Sequence, residues 1–223
     1  MKLSNKATLL EYSVRTLSNL SDMLNDLPKV NLGDLPASRT ALVIVDMVNG
    51  FAREGALMSP AVENLIPEIC RLMRECDKYH ITKLAFADNH TEKSPEFEAY
   101  PKHCMEGSSE AEIVDEIKEI GGYLLFPKNS TNGFLEDEFQ KWLKENKQID
   151  HFVITGDCTD ICIQQFAITL KTWFHMQNKK ARIIVPVNAV DTYDLGVHNN
   201  ELMNVMALYN MLINGVEIVS EVK

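Results

Sequence analysis

No stretch of this chain approaches the roughly 18 consecutive apolar residues that cross a bilayer, and the opening Met1-Lys2-Leu3-Ser4-Asn5-Lys6 is not followed by the long apolar core of a secretory signal. A cytoplasmic protein with no membrane partner is the expectation. Basic side chains are scarce, with 22 Lys and Arg against 32 Asp and Glu and a formal net charge of -10, and they form no run. Holding a phosphate backbone needs a concentrated positive face, which excludes nucleic acid. The cysteines Cys70, Cys76, Cys104, Cys158 and Cys162 are odd in number and lack the dense framework of a small secreted domain, so free thiols are expected. Cys70 and Cys76 fall in an apolar helical pattern and read as packing residues, leaving the other three for chemistry. Internal repeats and low-complexity tracts are absent.

What is present is a rhythm. The runs Ala41 to Val45, Thr82 to Phe86, Tyr123 to Phe126, Phe152 to Thr155, Ile183 to Val185 and Val216 to Val219 are short, apolar and mostly β-branched or aromatic. Helix-length segments separate them: Glu63 to Lys78, Leu135 to Asn146, Ile163 to Phe174 and Asn199 to Asn210. That alternation predicts an α/β fold, an open parallel six-stranded sheet with helices on both faces. With 223 residues and 45% hydrophobic content, one domain over residues 39–223 suffices. Residues 1–38 read as a helical extension, with Leu9, Val14, Leu17, Leu20 and Leu24 at helical spacing, docked on the domain or forming an oligomer contact.

One irregular segment gathers four possible metal ligands: Asp88, His90, Glu96 and His103. Two imidazoles with two carboxylates suit a divalent transition ion, zinc before iron or manganese, better than calcium or magnesium. The spacing matches no finger or ribbon, so ordinary surface histidines in an acidic loop are the competing interpretation. In open parallel sheets ligands bind at the carboxyl ends of strands, and reactive types fall there: Asp46, then Asp88 and His90, then Lys128, then Cys158 and Cys162. A cysteine opening a helix is pushed toward thiolate, which predicts Cys162 as a nucleophile beside the Lys128 ammonium, with Asp46 moving the proton. A buried cysteine, a turn lysine and a strand-end cap are the individual alternatives.

The blocks Val45-Asp46-Met47-Val48-Asn49-Gly50-Phe51, Phe126-Pro127-Lys128-Asn129-Ser130 and Thr155-Gly156-Asp157-Cys158-Thr159-Asp160-Ile161-Cys162 resemble those of the isochorismatase-like cysteine hydrolases, in the same order. The resemblance spans about Arg39 to Glu217, and the loop from Asp88 through Gly107 is similar to the nicotinamidase branch. It implies Cys162 as nucleophile, Asp46 as general base, Lys128 as the cationic partner, and one divalent metal on Asp88, His90, Glu96 and His103. It further implies stacking of a pyridine carboxamide between Phe51 and Tyr100, a cis Asp157–Cys158 peptide, the amides of Cys158 and Cys162 as oxyanion hole, and a homo-oligomer. The implied activity is hydrolysis of nicotinamide to nicotinate and ammonia through a thioester. Many nicotinamidases carry His at the position of Glu96 and Trp at that of Tyr100, and the family usually carries Gln at that of Val48, which puts part of the substrate pocket's hydrogen bonding in doubt. Hydrolysis of a carbamoyl or ureido compound, or a catalytically silent ligand-binding role, are the alternatives; the former needs an Arg for a substrate carboxylate, and Arg53 is the Arg near the Asp46 block.

Overall fold

The structure, a computed structural model, describes residues 5–223. Its strands are β1 (Lys29–Val30), β2 (Thr40–Val45), β3 (Thr82–Asp88), β4 (Tyr123–Lys128), β5 (His151–Asp157), β6 (Arg182–Pro186), β7 (Val190–Asp191), β8 (Glu217–Val219) and β9 (Glu221–Val222). The main sheet runs β4-β3-β2-β5-β6-β8, with every pair parallel and with β7 added beside β5. The six expected apolar runs supply those six strands; the short β7 makes a seventh.

The helices are α1 (Lys6–Asn25), α2 (Asn49–Ala52), α3 (Pro60–Glu63), α4 (Ile66–Tyr79), α5 (Asp115–Ile120), α6 (Asp137–Glu145), α7 (Gln164–Met176) and α8 (Asn200–Ile213). Successive side chains of a strand point to opposite faces, and β2 shows the result. Leu42 and Ile44 pack with Ile69 and Met73 of α4 and Ile117 of α5, while Ala41, Val43 and Val45 pack with Phe139 of α6, Phe166 and Leu170 of α7 and Leu208 of α8. Two apolar cores therefore clamp the sheet, and hydrophobic burial on both faces is what holds it.

Several boundaries differ from the sequence expectation. The helix expected over Glu63 to Lys78 is broken between α3 and α4, because Pro67 has no amide to donate and fits only a helix's first turn. Asn199 caps α8 by accepting from the Leu202 amide, and α8 continues to Ile213. Of the helical arm, residues 1–4 lie outside the described residues and only Lys6–Asn25 is α-helix. Beyond Pro28 the chain becomes β1, which pairs with β9, and Leu32 and Leu35 are buried in the α4-side core. Edge strand β4 leaves Leu124 and Leu125 about half exposed, so it is not covered on both faces as its apolar run suggested. None of the described helices is long and apolar enough to cross a membrane.

Gly156, in register with Val45, has φ of 114°, and a Cβ there would lie 2.0 Å from the Val45 carbonyl oxygen. Only glycine lets β5 approach β2 this closely at the point where Asp46 leaves the sheet. G156A is expected to cost at least about 3 kcal/mol, lowering the thermal midpoint by roughly 10 °C; a midpoint within a degree or two of the parent would refute this role.

Candidate active site

The strand order puts the topological switch at β2, between β3 and β5, and the carboxyl ends of those strands converge there. Asp46 follows β2 in a left-handed conformation (φ 55°) that Asp tolerates better than most residues. Its amide donates to the Phe86 carbonyl and its Oδ1 accepts the Asp88 amide, at 2.9 and 3.0 Å. Asp88 ends β3, and Lys128, its register partner, ends β4. From β5 the chain passes through the cis Asp157–Cys158 peptide into a π-helical turn, Thr159–Ile163, that carries Cys162.

Lys128 ties these groups together. Its Nζ lies 2.8 Å from Asp46 Oδ2 and 3.7 Å from Cys162 Sγ, and donates to Asp88 Oδ1 and, at 3.1 Å, to the Ser130 carbonyl. All four side chains are buried. Burial, aided by the Asp88 charge, raises the Asp46 carboxyl to about 7 despite Lys128. For Asp88 burial also opposes charge, but the Lys128 ammonium, with the His103 and His90 rings close by, holds it well below the usual carboxylate range. Lys128 stays protonated because the two carboxylates outweigh its burial.

Cys162 departs from expectation. Rather than opening a regular helix it sits inside the π turn, and burial pushes its thiol well above the ordinary value, with Lys128 offsetting only part. The resting group is therefore a thiol rather than a thiolate, and the raised Asp46 carboxyl lies on the same Lys128 ammonium.

Asp88 also faces the other way. Its Oδ2 is 3.5 Å from Nε2 of both His90 and His103, Glu96 Oε1 is 3.9 Å from His90 Nε2, and one donor atom from each of the four residues lies within 4.8 Å of the others. His90 Nε2 is buried without a hydrogen-bond partner, a costly arrangement unless an electrophile takes its lone pair. The far nitrogens are engaged, His103 Nδ1 with the Pro101 carbonyl at 2.8 Å and His90 Nδ1 with Asn129 Oδ1 at 3.2 Å, which aims both Nε2 atoms inward. The donor set thus fits a divalent ion, and His90 and His103 are buried rather than surface histidines.

The cleft over Cys162 holds about 400 Å³ of empty space and is walled by Phe51, Tyr100, Leu57, Ile161 and Tyr193, with Asp88, Glu96 and His103 along one side. Both aromatic residues singled out from the sequence line it. Val48 does not: it is fully buried in the α4-side core, bridged to Ile113. Arg53 pairs with Glu116 and Glu63. Cys104 is likewise core, its burial pushing the thiol up.

A model of the isochorismatase domain matches residues 40–215. The chain belongs to the isochorismatase family. It is 32% identical over 220 residues to nicotinamidase 1 of Arabidopsis thaliana, covering 83% of this chain and 87% of that protein. It is 26% identical to a ureidoacrylate amidohydrolase of Pseudomonas savastanoi pv. phaseolicola, over 62% of this chain and 66% of that one. The crystal structure of the Pyrococcus horikoshii pyrazinamidase in complex with zinc shares the fold at TM-score 0.67 and 23% identity, covering 81% and 98% of the two chains.

Within this isochorismatase fold, sequence reasoning missed the supports. Asn129, the Pro101 carbonyl and Phe97, whose ring is T-shaped to His90 and His103 at 5.4 and 5.8 Å, lie within the Lys128 block and the Asp88–Gly107 loop but are not themselves reactive residue types. Their location in those segments was the available signal. Tyr193 and His198, in the loop before α8, carried none.

Proposed function

We propose that this chain is an amidohydrolase that converts nicotinamide to nicotinate and ammonia through a thioester on Cys162. The observation that carries it is the sharing of Asp88: one carboxylate oxygen meets the Lys128 that serves Asp46 and Cys162, the other the imidazole cluster on the wall of an aromatic cleft. Asp46 takes the Cys162 proton as Sγ adds to the amide carbon, and the amides of Cys158 and Cys162 hold the oxyanion. Asp46 returns that proton to the amide nitrogen, ammonia leaves and the thioester remains. Asp46 then deprotonates a water that adds to the thioester carbon; collapse releases nicotinate and restores the thiol. Lys128 keeps its charge throughout and balances whichever of Asp46 and Cys162 is anionic. Phe51 and Tyr100 flank the pyridine ring, each good stack adding about 0.5–1.5 kcal/mol.

Asp88, His90, Glu96 and His103 would hold the metal, zinc by donor type, with iron or manganese also suited. When bound, it supplies a Lewis acid for the pyridine nitrogen and so orients the carboxamide toward Cys162. The zinc-bound pyrazinamidase supports this. Ammonia release from nicotinamide by purified protein, with chelator and then zinc added back, tests the reading: chelation should abolish release and zinc restore it, and no release from metal-loaded, folded protein would sink it. N129A, which removes the nearer of the two partners of the far nitrogen of His90 and leaves only Ser94 Oγ at 3.5 Å, is expected to weaken metal affinity by about 10- to 100-fold, read by competition with a chromophoric chelator.

The ureidoacrylate relative supports a second reading, hydrolysis of a ureido acid. That substrate class carries a carboxylate, and the cleft wall contributes no arginine for it, Arg53 being committed to Glu116 and Glu63. Exposed Leu9, Leu10, Tyr12 and Val14 on α1 support a homo-oligomer in which α1 makes a subunit contact. Light scattering should then give a multiple of 25.3 kDa; a monomer at micromolar concentration would remove this proposal.

A further inference from the structure

One wall of the cleft has no task in the proposed hydrolysis. Tyr193 follows β7 and lines the cleft beside Cys158, Ile161 and Cys162. The same residue, with Leu57, also borders a neighbouring groove lined by Met58, Pro60 and Leu195. Tyr193 and Leu57 therefore separate two cavities. Burial pushes the Tyr193 phenol up to about 12, so the side chain is a neutral wall.

This wall is held from behind. The Tyr193 ring stacks on the His198 imidazole with centroids 3.9 Å apart and planes 8° from parallel. His198 Nδ1 is 2.9 Å from the Tyr193 carbonyl oxygen and Nε2 is 2.8 Å from Asp160 Oδ2, so close contacts at both ring nitrogens hold the ring in place. Reciprocal backbone bonds between Leu195 and His198, both 3.0 Å, close the loop around Gly196, whose φ is 62°. Asp160 lies in the π turn that carries Cys162. The partition is thus fastened to the same turn as the nucleophile.

We infer that Tyr193 is a specificity-determining residue that confines the cleft to single-ring amides, and that His198 and Asp160 are positioning residues that clamp it to the nucleophile's turn. The specificity claim rests on the proposed amide hydrolysis; the partition itself does not. A fused bicyclic carboxamide needs the space that the Tyr193 ring fills, and opening the partition joins the cleft to the groove. An aromatic ring clamped on one face and by its own carbonyl has little freedom to swing aside.

Metal-loaded, full-length Y193A, Y193V, Y193F and H198A are compared with the parent on nicotinamide and quinoline-3-carboxamide. The kcat/KM of the bicyclic amide relative to nicotinamide should rise about tenfold in Y193A and Y193V, keep the parent value in Y193F, and rise by a smaller factor in H198A. A second readout needs no turnover: Cys162 alkylation by N-phenylmaleimide relative to iodoacetamide, with the modified thiol located by fragment mass spectra. That ratio should rise in Y193A, Y193V and H198A. An unchanged alkylation ratio in both Y193A and Y193V overturns the partition, and an unchanged one in H198A overturns the clamp. A parent that releases no ammonia from nicotinamide, with an alkylation ratio that shifts in Y193A, defeats the functional reading and leaves the partition standing.

Discussion

C162A is expected to lower ammonia release from nicotinamide by on the order of 10⁴-fold or more while metal content and thermal midpoint stay near the parent values. The thioester route needs a sulfur at this position, and Cys158, the other thiol on the cleft wall, is itself pushed toward the protonated form by burial and the Asp157 charge. Cys162 is absent from the four-residue ligand cluster, so its loss leaves the metal donors in place. C162S should fare little better, because an alcohol is far harder to deprotonate than a thiol and Asp46 at about 7 is matched to the easier task. Activity retained in C162A at a tenth of the parent level would remove Cys162 as nucleophile.

K128M should produce the largest combined loss. Lys128 is 1% exposed and is the cation that two buried carboxylates share. Methionine has the length but no charge, so Asp46 and Asp88 would face each other uncompensated in a low dielectric. Breaking a buried pair from one side typically costs about 3–5 kcal/mol, or roughly 10 °C in thermal midpoint for a domain of this size. Turnover should fall below detection, since Asp46 would hold its proton and could no longer accept one from Cys162. The sign has an internal check: D46N removes one of the stranded carboxylates, so K128M/D46N should be less destabilised than the two single losses added together. A midpoint for K128M within about 2 °C of the parent would show that Lys128 is not the counter-charge that the geometry makes it.

How much of this was legible beforehand depended on how local each feature is. β2 was readable because its continuous apolar run, Ala41 to Val45, is local to the sequence, and the parallel arrangement because apolar runs covered on both faces recur between helix-length segments. Pro67 and the capping Asn199 mark helix starts in the sequence itself, yet their effect on the length of α4 and α8 emerged only with neighbours in place. Edge exposure of Leu124 and Leu125 was invisible, because strand order, not strand composition, decides which strand lies at the rim. The pairing of Lys29–Val30 with Glu221–Val222 joins segments far apart in the sequence, a contact no local window contains.

The site divides the same way. Residue types at strand ends, with the resemblance of three blocks and one loop, named Asp46, Lys128, Cys162, Asp88, His90, Glu96 and His103, because the chemical capacity of a side chain is intrinsic to it. Only the tertiary structure decided that Asp88 belongs to both halves of the site, that burial keeps the Cys162 thiol protonated and raises Asp46, and that Tyr193 and His198 complete the wall. Solvation and through-space charge depend on what surrounds a group, and here those surroundings come from the ends of different strands and from loops distant in the chain.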